Sequence, residues 1–144
     1  MNIYMVRHGE AERFGENALT NNGKNQALEM ARWFKSKGHH LDKIIHSSKL
    51  RAIETAQIFG DILDVKTELV SGICPEDNPS QFIDKLNEVN ESILVVTHMP
   101  FIDLVTSKLS MSESTLIPFS NVTMVAFEKT DTYKYLWNMS PEEL

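Results

Sequence analysis

The run SILVVTH, Ser92 to His98, is the most strongly apolar stretch of the chain. Its apolar side chains follow one another without alternation, so both faces of the strand they form need cover. Such a strand belongs in the middle of a sheet that carries helices on both sides.

The remaining segments supply those layers. Asn2 to Val6 is a second short apolar run, bounded by Gly9, and reads as a buried strand. Glu10 to Leu19 reads as a loop. Thr20 is placed to cap a helix whose apolar stripe is Ala27, Met30, Ala31 and Phe34, with Gly38 as its stop. Asp42 to His46 is another strand. Ser47 and Ser48 are placed to cap the next helix, striped by Ala52, Ala56, Phe59 and Leu63. Val65 to Val70 alternates as a strand does, and Ser71 to Pro79 is a loop rich in Gly and Pro. Pro79 to Asn90 has Phe82, Ile83, Leu86 and Val89 at helical spacing. Pro100 suits the first turn of a helix running to about Leu109. Ser110 to Pro118 reads as a loop of open role. SNVTMVAFEK and YKYLWNM are two late strands joined by a turn at Thr130 to Thr132, and the last residues read as a tail.

Strands alternating with helices predict a mostly parallel sheet between two helical layers, a three-layer α/β/α sandwich. At 144 residues, with no repeat or linker, the chain is expected to form a single domain, 1–144. A net charge of −6 argues against general nucleic-acid binding, which needs a basic face. It leaves room for a local cluster of Arg and His that binds a small anion. Cys74 is the only cysteine and has no partner for an internal disulfide, which suits a reducing compartment. No run approaches the ~18 apolar residues of a membrane span, and the N-terminus lacks a signal-peptide pattern. A cytoplasmic protein with no membrane or nucleic-acid partner is expected.

In sheets of this kind ligands bind beyond the carboxyl ends of the strands. Arg7 and His8 end the first strand, Arg51 lies in the first turn after the second, and His98 ends the central strand. If these strands are parallel neighbours, two arginines and two histidines meet at one edge. Their natural guest is an anion with several oxygens, most simply a phosphoryl group. Guanidinium forks bind its oxygens. A helix beginning near Met99 would add backbone N–H groups. An imidazole between these groups can attack phosphorus. A lone Arg or His at a strand end is usually surface; the signal is the combination. His39 and His40 fall in a surface turn, and His46 lies just before the serines. No metal-ligand spacing stands out, so no cofactor is expected. Cys74 lacks an activating partner, and Trp33, Trp137 and the methionines serve the core.

These residues carry a resemblance. VRHGEAE, SSKLRAIETA at Ser47 to Ala56, VVTHMP at Val95 to Pro100, and ALTNNGKNQA at Ala18 to Ala27 resemble the histidine phosphatase superfamily, the phosphoglycerate mutase-like fold. The resemblance spans almost the whole chain. It implies that His8 is the nucleophile that becomes phosphorylated, that Arg7, Arg51 and His98 form the phosphate pocket, and that a charged His98 assists transfer. The stretch from Val70 to His98 is too short for the lid-like insertions of larger members. That shortness, with the closing LWNMSP, is similar to the SixA-type phosphohistidine phosphatases.

The family's usual glutamate motif is not evident. Glu76 and Asp77 lie in the corresponding loop, with Glu76 the candidate general acid and Pro75 and Pro79 leaving its direction open. A dedicated acid is dispensable when the leaving group is imidazole rather than alkoxide. The resemblance thus implies a metal-independent phosphatase acting on phosphohistidine in a signalling protein, with a histidine phosphotransfer domain as candidate partner. The alternatives are a phosphatase of small phosphate esters, which a clear acid near Glu76 would favour, and a phosphate-recognising binding module without turnover. A mutase needs a more enclosed pocket. Whether Ser47 or Asn17 touches phosphate stays open at this level.

Overall fold

The structure, a computed structural model, describes residues 1–110 and 117–144. Its elements are β1 (Asn2–Arg7), α1 (Asn21–Ser36), β2 (Lys43–His46), α2 (Leu50–Leu63), β3 (Thr67–Leu69), α3 (Pro79–Asn87), β4 (Ile93–Thr97), α4 (Phe101–Ser110), β5 (Met124–Lys129) and β6 (Tyr133–Met139). A 3₁₀ turn, Pro141–Glu143, closes the chain where a tail was expected, and Ser140 and Glu143 cap it reciprocally.

The strands form one sheet in the order β3-β2-β4-β1-β5-β6. β3, β2, β4 and β1 pair in parallel, and β5 and β6 add an antiparallel edge. The uninterrupted apolar run is β4, buried at every position between β1 and β2. Alternate side chains feed two cores. Ile3, Met5, Ile93 and Val95 pack with Phe82 and Leu86 of α3 and with Phe101, Ile102 and Val105 of α4. Tyr4, Val6, Leu94 and Val96 pack with Ala27, Met30 and Phe34 of α1 and with Ala52, Ala56 and Phe59 of α2. This is the expected α/β/α sandwich, matched strand for strand in its parallel half.

Register fixes where the strand ends fall. Arg7 lies beside Thr97, and His46 beside Val96. His8, Ser47 and His98 therefore leave the sheet almost level with one another. Glycines bring the exit of β1 onto α1. A Cβ on Gly23 would fall 2.1 Å from the Glu10 carbonyl oxygen, and one on Gly9 would fall 2.8 Å from that of Gly23. Only residues without side chains permit so close a backbone crossing.

Several local expectations change. The residue at the N-cap of α2 is Lys49, which makes no side-chain capping bond; Ser47 is committed elsewhere, as described below. Pro100 precedes α4 rather than lying in its first turn, and the Ile102 N–H is taken by the His98 carbonyl at 2.8 Å. The helix start near Met99 therefore offers fewer free donors than expected. Of the Ser110 to Pro118 loop, Ser110 closes α4, residues 111–116 lie outside the described residues, and Ile117 is buried. Among the described residues no helix is long and apolar enough to cross a membrane.

Candidate active site

The four residues singled out in the sequence converge. His8 is buried directly after β1, and its ring centroid lies 5.1 Å from that of His98. Its Nδ1 is 2.7 Å from the Gly9 carbonyl oxygen. A carbonyl only accepts, so Nδ1 carries the proton and Nε2 keeps its lone pair. Arg51, in the first turn of α2, donates from Nε to that Nε2 at 3.3 Å. Thr55, one turn further along α2, accepts from the Gly9 N–H at 3.0 Å and donates to the Arg51 carbonyl at 2.8 Å. One threonine thus ties the β1 exit to the helix that carries Arg51.

Arg7 donates from Nη1 to the Phe119 carbonyl at 2.8 Å, while its buried Nε has no partner. The loop before β5 closes over this point. Val122 N–H donates to the Arg7 carbonyl at 3.0 Å, and Asn121 Nδ2 to the His8 carbonyl at 3.2 Å. Val122 holds this position at φ = 58°, a left-handed conformation costly for a β-branched residue. His98 is buried deeper. Its Nε2 lies 2.5 Å from Ser47 Oγ, and its Nδ1 has no partner. Among the described residues, Arg7 Nε and His98 Nδ1 are the only buried side-chain N or O atoms without a hydrogen-bond partner. Both are in this site.

Charge follows from this packing. Burial, then the nearby Arg51 and Arg7, push the His8 pKa down to about 4, against an opposing pull from the Gly9 carbonyl. Burial, then His8 and the surrounding cations, push His98 down to about 3. Burial and Arg51 also lower Arg7. In the protein alone burial thus favours the neutral form of both imidazoles at pH 7.

The cavity over Arg7, His8 and Arg51 measures about 480 Å³ and is open to solvent, with the buried His98 beneath His8 rather than on its wall. Arg7, His8, Glu10, Ala11, Glu12, Arg13, Asn17, Arg51, Met99 and Asn121 line it. Glu10 is tied to Thr20 Oγ1 at 2.8 Å and Asn22 Nδ2 at 3.2 Å. Asn17 lines the cavity while its amide donates to the Glu12 carbonyl at 2.7 Å. Ser47, in contact with His98, is likewise not on the cavity wall. Glu76 is exposed and outside the lining, and Asp77 accepts from the Cys74 N–H at 2.8 Å within its own turn. Sequence reading missed Asn121, Met99 and the Glu10–Arg13 wall. Glu10 to Arg13 directly follow the RHG triplet, so proximity was an available signal. Nothing in SNVT announces that Asn121 returns to His8.

The family model for the histidine phosphatase superfamily, branch 1, matches residues 3–74, which include Arg7, His8 and Arg51. The chain belongs to the histidine phosphatase superfamily. It is 27% identical to the phosphohistidine phosphatase SixA of Escherichia coli over 98% of this chain and 94% of that protein. It is 32% identical to the SixA homolog of Haemophilus influenzae over 76% of this chain and 77% of the relative. Among solved structures, a SixA complexed with tungstate superposes with a TM-score of 0.92 at 24% identity, covering 98% of this chain and 97% of that one. A phosphoserine phosphatase from Entamoeba histolytica superposes at 0.76 and 20% identity, covering 99% and 98%. This histidine phosphatase is accordingly a hydrolase of phosphoryl groups, and its fold is that of the phosphoglycerate mutase-like proteins.

Proposed function

We propose that this histidine phosphatase removes the phosphoryl group from phosphohistidine on a protein, through a phosphorylated His8. The observation that carries the mechanism is the pairing of a buried, neutral His8, its Nε2 lone pair held beside Arg51, with unpartnered nitrogens on Arg7 and His98. A buried nitrogen without a partner is costly in a folded protein, and phosphoryl oxygens would satisfy both.

The steps follow from these positions. Arg7, Arg51 and His98 bind the phosphoryl oxygens. Arg51 exchanges its contact with His8 for one with oxygen, which frees the lone pair. His8 Nε2 attacks phosphorus in line as the bond to the leaving nitrogen breaks, and water protonates the departing imidazole. A second water then attacks phospho-His8, releasing phosphate and restoring the imidazole. The guanidinium charges stabilise the spread of charge over the phosphoryl oxygens in both steps. Charge stabilisation of this kind comes from the chain's own guanidinium groups, and we read the reaction as proceeding without a metal ion.

Two features support a protein substrate. Among the described residues the cavity is open to solvent. At its rim an arm closed by the Ala11–Leu19 bridge carries Phe14, 72% exposed, beside the cavity-lining Arg13. The Glu12 N–H donates to the Ala18 carbonyl at 2.7 Å and closes the base of this arm. A histidine phosphotransfer domain is a partner of the required chemistry. One observation favours the ester alternative: Glu10 and Glu12 line the cavity, and with the Glu10 carboxylate bonded to Thr20 and Asn22, Glu12 is the candidate to protonate an alkoxide. The test is hydrolysis, without added metal and quenched in alkali, of a phosphohistidine-bearing protein beside a panel of small phosphate esters. Preference for the protein is expected; preference for an ester overturns the substrate assignment.

A further inference from the structure

We infer that Ser47 is a positioning residue that holds His98 in its Nδ1–H tautomer, so that His98 serves the bound phosphoryl group as a neutral hydrogen-bond donor. This deepens the proposed reaction and rests on it only for the identity of the acceptor.

The assignment follows from counting protons. Ser47 is fully buried, and its hydroxyl makes two contacts among the described residues. One is the Lys49 N–H, which donates to Oγ at 3.3 Å. The other is His98 Nε2 at 2.5 Å. A hydroxyl has one proton to give, and a backbone N–H cannot receive it. The Ser47 proton therefore goes to His98 Nε2, which must present a lone pair. A neutral imidazole with an accepting Nε2 carries its proton on Nδ1. That nitrogen is the one left buried and unpartnered.

The reverse arrangement fails twice. If Nε2 donated to Ser47, the serine proton would have no acceptor among the described residues, and Nδ1 would be a bare lone pair in a site built for an anion. With the tautomer set by Ser47, His98 instead offers an N–H to phosphoryl oxygen, at no cost in ionisation. His8 is held in the matching form by the Gly9 carbonyl: proton on Nδ1, lone pair on Nε2. Two histidines of the same tautomer thus do opposite work, one attacking with the free nitrogen and one donating from the protonated one.

Nitrogen NMR of the ring atoms tests this on the unmodified protein. His98 should show a protonated Nδ1 and an unprotonated Nε2 at pH 7, and added tungstate should shift the Nδ1–H resonance. Ser47→Ala should lose the bias toward Nδ1–H and lower kcat, and Ser47→Thr should restore both in part. A protonated Nε2 in the unmodified protein overturns the inference even if turnover is normal. An unchanged tautomer in Ser47→Ala overturns the role of Ser47. If no phosphoryl substrate is turned over but Nδ1–H is observed, the tautomer stands and the proposed reaction falls.

Discussion

Arg51 Nε donates to His8 Nε2 at 3.3 Å, so the guanidinium rests on the nitrogen that is to attack phosphorus. In the protein alone it masks the lone pair; with substrate bound it turns to the phosphoryl oxygens. Arg51→Ala should therefore cost about 2.7–4 kcal/mol of transition-state stabilisation, read as a fall in kcat of about 10²–10³. Arg51→Lys should recover little, since an ammonium lacks the planar fork. Steady-state kinetics of both variants check this.

The pH response follows from His8. Its pKa is held down to about 4 against an ordinary value of 6.5, chiefly by burial. The nucleophile should remain unprotonated throughout the range where a free histidine titrates. An NMR titration of the His8 ring should find its midpoint near 4, and Arg51→Ala should raise it.

Stability responds to the same groups. His8 and His98 are neutral in the fold well below 6.5, whereas the unfolded chain protonates them near that value. Between about 6.5 and the folded values the unfolded state binds more protons, so stability rises with pH in that window and falls as pH drops through it. The slope is on the order of 1.4 kcal/mol per pH unit for each histidine. Denaturant unfolding at pH 7 and pH 5 should show the loss, and His98→Gln should reduce it.

Gly23 is predicted to be intolerant of any side chain. A Cβ there would meet the Glu10 carbonyl oxygen at 2.1 Å, with backbone on both sides of the contact. Gly23→Ala should cost at least the 1–3 kcal/mol typical of overpacking, on the order of magnitude. It should also displace the Glu10–Arg13 wall of the cavity. Thermal unfolding together with kcat/KM separates the two effects.

Phe14 and Glu76 divide substrate recognition from chemistry. Phe14→Ala removes an exposed aromatic at the rim and touches no core. It should raise KM for a phosphohistidine protein about tenfold, leave kcat near normal, and leave small-ester kinetics unchanged. Glu76→Gln should leave turnover of either substrate unchanged, because Glu76 is exposed and outside the cavity lining. A large loss on esters in Glu12→Gln would shift the chemistry toward an acid-assisted reaction.

Much of this site was legible because strand ends are legible. The apolar runs of β1, β2 and β4 mark their own termini, and parallel pairing brings Arg7, His8, Arg51 and His98 to one edge. What could not be read depends on where loops return. Asn121 reaches the His8 carbonyl from a loop in which Val122 adopts a left-handed backbone, which no propensity of valine foretells. Ser47 looked like a helix cap because serine before a helix usually is one. Its hydroxyl goes to His98 instead because β2 and β4 are neighbours in register, a tertiary fact. Glu76 was named from its loop alone, and an exposed loop carboxylate carries no sign of its direction.

The central claim is that His8 itself carries the phosphoryl group. The direct measurement is a single-turnover reaction with a phosphoryl-labelled protein substrate, quenched in alkali and analysed by peptide mapping. A transient phosphoryl group on His8 in the unmodified protein, with neither label nor turnover in His8→Ala, is the predicted result. Near-normal turnover by His8→Ala, or a phosphoryl group trapped on another residue, would contradict the account.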